Sequence, residues 1–244
     1  MTSQLFPSIQ AADADDATKV ILLTGVDPYY CAGVNLAGSF QVMPPKKLFH
    51  EIVKRNEALF NTFLDTKKPL LVAVNGPAIG ASVTSATLCD AIVASNKAKF
   101  LTPFGRLGVT PEGCSSVHFE YLIGKENAQK MLVEDWEPSA EEAKAIGLIT
   151  EVVPHEQLAE YAQNLAEKWI AEGKHLVPRT AMGYKDLKRL KEVNAKESVD
   201  LGHAFLSEKF LKAQVKFLES KKKKDTAFTF KMLLWSRPLW SKLL

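Results

Sequence analysis

The sequence predicts an α/β fold with a parallel sheet, followed by a last third that is almost entirely helical. Three observations lead to this fold class. Short, continuous apolar runs have the length and composition of strands buried on both faces. Longer segments with helical spacing of apolar residues separate these runs, which is typical of stacked βα units. Residues 155–220 have a helical pattern nearly throughout.

The first half of the chain contains two buried strands with a long helix between them. A glycine ends the apolar run of residues 20–25 (VILLTG), which predicts the first strand. Residues 43–65 repeat apolar side chains at helical spacing and predict a helix. Residues 69–80 (PLLVAVNGPAIG) predict the second strand and a turn, and a helix is expected to open at Gly80 over residues 81–90.

The later elements are predicted in the same way. Residues 91–96 (AIVASN) and 98–103 (AKFLTP) predict a third and a fourth strand. From Thr110 the pattern becomes helical. Ser139 and Glu142 have capping-box spacing before a helix that Gly147 ends, and residues 147–154 then predict a short strand. No internal repeat or Ser/Gly-rich linker divides the chain, so one domain is expected.

Composition excludes several classes of protein. The net charge of +3 over 244 residues is too small to indicate a nucleic-acid partner. Three cysteines without close pairing favour a reducing compartment, and their spacing predicts no metal site. No apolar run reaches the ~18 residues of a membrane span. Near the C-terminus, residues 241–243 (SKL) match a peroxisomal address, but Leu244 follows them, so an amphipathic tail remains the alternative.

Two turns place small residues directly after buried strands. They are residues 29–36 (YYCAGVNL) and residues 75–82 (NGPAIGAS). Small residues let a ligand approach the backbone and leave amide N–H groups free to donate hydrogen bonds. Two such turns side by side can form an oxyanion hole, although each alone is also compatible with a tight strand exit.

Four segments together resemble the crotonase (enoyl-CoA hydratase/isomerase) superfamily in their order and spacing. They are TGVDPYYCAGVNL, KPLLVAVNGPAIGASVTSATLCDAIVAS, AKFLTPFGRLGVTPEGCSS and AKAIGLITEVVP. The proline of NGPAIG and the TPEGCSS run are most similar to the peroxisomal Δ3,Δ2-enoyl-CoA isomerase branch. The resemblance implies a crotonase-like stacked ββα spiral, with an α/β core at residues 1–178. Residues 179–244 form a helical trimerisation or lid region of the same domain, and the two N-terminal strands of the superfamily are expected to be missing.

The resemblance also assigns an oxyanion hole. In the superfamily, backbone amides of the two turns hold the thioester oxygen of an acyl-CoA, and here they belong to Val34 and Ala81. The segment that would line the substrate passage, together with the second turn, gives the expected substrate-binding residues Ala32, Gly33, Val34, Asn35, Leu36, Gly80 and Ala81.

Only one carboxylate stands at a catalytic position of the superfamily. Hydratases use two glutamates, and Thr84 and Phe104 occupy those positions here, so water addition lacks its acid–base pair. Isomerases use a third position, which holds Glu112. The resemblance therefore predicts Glu112 as the catalytic base and proton shuttle, with Asn56 orienting it.

Both residues have a simpler interpretation. With Thr110 as N-cap and Pro111 as the first helical residue, Glu112 would sit in the first turn of a helix, where the helix dipole favours a carboxylate. The dipole lowers the pKa of a carboxyl group, so a base at this point needs burial to dominate. Asn56 could be an exposed residue of its helix. The sequence leaves these alternatives open.

The expected partners follow from the resemblance. The substrate is an acyl-CoA thioester, no further cofactor or metal is expected, and the assembly is a homotrimer or a dimer of trimers. Lys221 to Lys224 could contact CoA phosphates or form a solvated charge run. The expected location is peroxisomal, with mitochondrial or cytoplasmic as alternatives. The alternative function is a catalytically impaired crotonase-like module that binds CoA or supports assembly.

Overall fold

The described part of the chain alternates strands and helices in its first half and is helical afterwards. The computed structural model describes residues 2–33, 43–179 and 186–243. In the first half the elements are α1 (Thr2–Ala14), β1 (Ile21–Thr24), α2 (Pro45–Asp65), β2 (Leu70–Val74), β3 (Ala78–Ile79), α3 (Ala81–Ala86), β4 (Ala91–Ser95), β5 (Phe100–Leu101) and α4 (Phe104–Leu107). In the second half they are α5 (Ser115–Leu132), α6 (Ala140–Ala145), β6 (Glu151–Val153), α7 (Leu158–Ala171), α8 (Leu187–Phe205), α9 (Glu208–Ser220) and α10 (Lys224–Trp240).

Four strands form a parallel sheet in the order β1-β2-β4-β6. The register pairs Ile21 with Leu70 and Leu71 with Ala91. All residues of β2 and β4 are buried, which explains their uninterrupted apolar sequences. The predicted strand at residues 98–103 is shorter than expected, because its strand is limited to β5, which pairs with β3 in a separate two-stranded parallel sheet, while Lys99 forms an isolated bridge to Ser139.

Helices cover both faces of the sheet. Alternate residues of a strand point to opposite faces, so Leu70 and Val72 join the main core while Leu71 and Ala73 pack with α7. The main core lies between the sheet and α2, α3 and α5. The predicted capping box is confirmed, since the Ser139 and Glu142 side chains satisfy each other's backbone amides at the start of α6.

The helical last third folds back onto the long helix α2. Gly202 of α8 lies so close that a Cβ there would be 2.8 Å from the Phe49 ring of α2. The α9–α10 hairpin builds its own apolar cluster, which includes Leu48 of α2, Phe210 and Phe230. The C-terminal region therefore covers the first half of α2. Within the described ranges, no helix is both long and apolar enough to cross a membrane.

A buried arginine, which sequence reasoning did not single out, connects the C-terminal end of α2 to the residues that follow α3. Arg179 pairs with Asp90, with 2.7 Å between Nε and Oδ2, and both side chains are buried. Its guanidinium also donates to the carbonyl oxygens of Phe63, Thr66 and Leu88. A planar donor set of this kind can satisfy several carbonyls at a helix end at once.

Candidate active site

The two small-residue turns lie side by side over the described residues of the first turn, which end at Gly33. The Ile79 amide donates to the Cys31 carbonyl oxygen at 3.0 Å, and Cys31 forms a parallel bridge with Ala78. Gly33 has a φ of +83°, and a Cβ at this position would lie 3.3 Å from the Ile79 oxygen. The turns are therefore neighbours, with Ala32 exposed between Cys31 and Gly33.

The second turn presents a backbone donor that has no acceptor among the described residues. Gly80, with a φ of +65°, is the N-cap of α3, and its own amide donates to the Leu101 oxygen. Ala81 is the first residue of α3, and no group in the described ranges accepts a hydrogen bond from its N–H. Val34, Asn35 and Leu36 lie outside the described residues. The second amide of the oxyanion hole and that part of the substrate passage therefore stay predictions.

Glu112 is buried and has a specific partner. Glu112 is only 8% exposed, and Asn56 Nδ2 of α2 donates to Glu112 Oε2 at 2.5 Å. Asn56 is equally buried, so the interpretation of Asn56 as an exposed helix residue is wrong. Ser198 of α8 contacts the other end of the same amide, with 3.0 Å between Ser198 Oγ and Asn56 Oδ1.

The expected first-turn position of Glu112 is wrong. Helix α5 begins at Ser115 with Cys114 as its N-cap, so Glu112 precedes the cap and Thr110 does not cap the helix. Gly113 and Cys114 have φ values of +67° and +65°, which lie outside the right-handed helical region. A Cβ at Gly113 would also lie 2.4 Å from the ring of Phe60, so this close approach requires glycine.

A second buried carboxylate occupies the start of α5. Glu197 of α8 accepts hydrogen bonds from the Cys114 amide at 2.6 Å and from the Ser116 amide at 2.8 Å. Sequence reasoning missed Glu197, because its contact partner Cys114 lies 83 positions earlier and only the packing of α8 brings them together. The Cys114 and Ser116 amides therefore serve the carboxylate of Glu197 rather than that of Glu112, while the Ser115 amide donates to the backbone oxygen of Glu112.

The surroundings of Glu112 favour its neutral form. Burial raises the pKa of Glu112 to about 7, the Asn56 hydrogen bond acts in the opposite direction, and the nearby Glu197 carboxylate adds to the rise. Burial also raises the pKa of Glu197, although the two amide hydrogen bonds oppose this. With a pKa near neutrality, Glu112 can both accept and return a proton.

The two positions without a carboxylate are buried. Thr84 is fully buried in α3, where its hydroxyl donates to the Ala81 oxygen at 3.3 Å, and Phe104 is buried at the start of α4. In the described ranges, no group of three or more His, Cys, Asp or Glu side chains is arranged to hold a metal ion.

Layered βα units, a turn amide without an acceptor among the described residues and a buried glutamate with a raised pKa define an α/β protein with a candidate acid–base site. The model of the enoyl-CoA hydratase/isomerase family matches residues 1–227, and the chain belongs to this family. The resemblance predicted from the motifs is thereby confirmed.

The chain is similar to named isomerases of this family. Human enoyl-CoA delta isomerase 2 is 35% identical over 229 residues, which cover 91% of this chain and 57% of that protein. Mouse enoyl-CoA delta isomerase 3, peroxisomal, is 40% identical over 147 residues, which cover 57% of this chain and 44% of that protein. The chain thus spans less than two thirds of the length of both relatives.

A solved structure confirms the predicted fold class. An enoyl-CoA hydratase/isomerase from Pseudoalteromonas atlantica T6c superimposes with a TM-score of 0.75 at 24% identity, covering 90% of this chain and 86% of that one. At this identity the likeness concerns the fold alone, which is the crotonase-like α/β arrangement with a helical C-terminal region.

Proposed function

We propose that the protein is an isomerase that moves the double bond of a 3-enoyl-CoA to give the 2-enoyl-CoA. The observation that carries this proposal is the buried Glu112, held by Asn56 and with a pKa raised to about 7. Thr84 and Phe104 stand where hydratases of the family have their glutamates, so the chain offers one acid–base group at the family's catalytic positions. Isomerisation needs only one.

The reaction balances with a single carboxylate. Ionised Glu112 takes a proton from C2 of the 3-enoyl thioester, and the C2–H electron pair delocalises into the thioester carbonyl and the C3–C4 double bond. The negative charge develops on the thioester oxygen. Neutral Glu112 then returns the proton to C4, which leaves the double bond between C2 and C3 and regenerates the carboxylate.

Backbone donors would stabilise the intermediate charge. The Ala81 N–H, which has no acceptor among the described residues, stands at the start of α3 and suits the thioester oxygen. By the family resemblance, the Val34 N–H is the second donor. Loss of one such donor typically reduces kcat by about 10²–10³, and a positioned general base contributes about 10²–10⁴.

Location and assembly belong to the same proposal. A peroxisomal location is supported by the mouse relative that is named as peroxisomal. A homotrimer or a dimer of trimers is proposed from the family resemblance, and light scattering of the purified chain tests it.

A product assay separates the candidate functions. Wild-type protein is mixed with trans-3-hexenoyl-CoA and, separately, with trans-2-hexenoyl-CoA. The proposal expects formation of the conjugated 2-enoyl thioester from the first and no hydration of the second. Hydration of the second would contradict the proposal, and no turnover of either by folded protein would favour the CoA-binding or assembly module.

A further inference from the structure

Two consecutive residues of α8 contact the two segments that hold Glu112. Glu197 accepts from the amides of residues 114 and 116, which follow Glu112 in the chain. Ser198 contacts Asn56, which donates to Glu112. Both α8 side chains are buried, with exposed fractions of 4% and 0%. One turn of one helix therefore reaches Glu112 by two separate routes.

Glu197 removes a source of stabilisation from Glu112. The first amides of a helix carry partial positive charge and stabilise a nearby anion. At the start of α5, the amides of Cys114 and Ser116 donate to Glu197, so they are already engaged by a carboxylate. A negative charge on Glu197 also opposes a negative charge on Glu112.

Ser198 acts through the orientation of the Asn56 amide. Ser198 Oγ lies 3.0 Å from Asn56 Oδ1 and 2.7 Å from the Asn194 carbonyl oxygen, but the hydroxyl has one proton to donate. When the proton points to Asn56 Oδ1, the Asn56 NH₂ group faces Glu112 and favours its carboxylate form. When it points to Asn194, the Asn56 oxygen loses this donor, and the Asn56 NH₂ group is held less firmly toward the Glu112 carboxylate.

We propose that Glu197 and Ser198 are positioning residues that shift the balance between the carboxylate and the neutral form of Glu112 in opposite directions. Glu197 opposes the carboxylate form, and Ser198 supports it through Asn56. This inference rests on the proposed isomerase function. It goes further, because it assigns the adjustment to α8, which contributes no group to the family's catalytic positions.

The other titratable groups near Glu197 and Ser198 do not act directly on the charge of Glu112. Asp200, one turn further along α8, raises the pKa of Glu197, and it pairs with Lys196 at 2.6 Å. The Cys114 thiol has a pKa raised to about 12 and stays neutral near pH 7. Among the described residues, Glu197 is therefore the charged group that bears most directly on Glu112.

The test compares Glu197→Gln with Ser198→Ala in the pH profile of kcat/KM on trans-3-hexenoyl-CoA. Because the active base is the carboxylate, the rate should rise as Glu112 ionises. Glu197→Gln should move this rise to lower pH and Ser198→Ala should move it to higher pH, each on the order of one pH unit. Glu197→Asp restores the charge and should return the profile toward that of the wild type.

Two variants serve as matched controls. Glu142→Gln removes a carboxylate that accepts from a helix-start amide, that of Ser139, away from the site. Ser236→Ala removes a hydroxyl that donates to the carbonyl four residues earlier, as Ser198 also does. Neither control should move the profile.

A second readout does not depend on turnover. Difference infrared spectra of each protein against its Glu112→Gln form follow the carboxyl band of Glu112 through its titration. Shifts of opposite sign for Glu197→Gln and Ser198→Ala support the proposal. Unchanged titration, or shifts of the same sign, would overturn it. If Ser198→Ala does not fold, Ser198→Cys keeps the volume with a weaker donor and should shift the titration in the same direction.

Failure of the function and failure of the inference give different results. If Glu112→Gln retains full turnover, the isomerase mechanism is wrong whatever the infrared titrations show. If Glu112→Gln is inactive but the two α8 variants titrate like the wild type, only the inference about Glu197 and Ser198 is wrong.

Discussion

Replacing Glu112 by glutamine should stabilise the folded protein at alkaline pH. The folded protein holds the Glu112 proton with a pKa of about 7, against an ordinary glutamate pKa of 4.5. Between these two values the folded state binds more protons than the unfolded chain, so this group lowers the stability as the pH rises. Above about pH 7 the full cost of keeping the carboxylate charged is present, on the order of 3 kcal/mol.

The substitution removes the charge and keeps the shape. A glutamine oxygen can still accept from Asn56 Nδ2, whereas the new amide N–H groups need partners in a buried site and offset part of the gain. We expect a net gain of about 1–3 kcal/mol at pH 9, or a rise in Tm of roughly 5 °C. At pH 5, where Glu112 is already protonated, the two proteins should be nearly equally stable.

Urea unfolding at pH 5 and pH 9 provides the measurement, with Glu142→Gln as control. Hydrogen bonds from Ser139 lower the pKa of Glu142, so loss of that exposed carboxylate should weaken the fold at pH 9 instead of strengthening it. A Glu112→Gln protein that is less stable than the wild type at pH 9 would refute the burial argument.

Three further predictions follow from the same geometry. The kcat/KM profile of the wild type should rise with pH through about pH 7, because Glu112 acts as a carboxylate; a profile that falls through this range, measured with buffers of constant ionic strength, would contradict that role. Gly113→Ala should destabilise the fold by about 3 kcal/mol or more, because the backbone has a positive φ at this position and the new Cβ would lie 2.4 Å from the buried Phe60 ring. Gly124→Ala also has a positive φ but open space around it, so it should lose only about 1–2 kcal/mol in the same urea titration. Arg179→Met should lower the unfolding free energy by about 3–5 kcal/mol by removing the ion-pair partner of buried Asp90, and adding Asp90→Asn should recover part of the loss; full stability of the single variant would show that the pair contributes little.

The strands of the sheet could be predicted well from the sequence. β2 and β4 are continuous apolar runs, which is typical of parallel strands that are buried on both faces. The prediction failed at the start of α5. Glycine at position 113 permits a positive φ, but nothing in the sequence indicates the same conformation at Cys114. The helix therefore begins later than the pattern of prolines and acids suggested.

Only those residues of the candidate site that belong to the family motifs could be predicted from the sequence. Glu112 and Asn56 could be named from a resemblance, and the structure brings them into contact. Glu197 and Ser198 could not be named, since they belong to a helix with many polar residues, and the packing of this helix against α2 and the start of α5 places these two inside. Long-range packing of this kind leaves no local pattern in the sequence.

The most direct test of Glu112 as the proton shuttle compares wild type and Glu112→Gln in the isomerisation of trans-3-hexenoyl-CoA, with Glu142→Gln as a control for loss of a carboxylate elsewhere. Glu112→Gln should remain folded and lose a factor of about 10²–10⁴ or more in kcat, while the control retains its rate. Turnover by folded Glu112→Gln within a few-fold of the wild type would contradict the assignment of Glu112 as the proton shuttle.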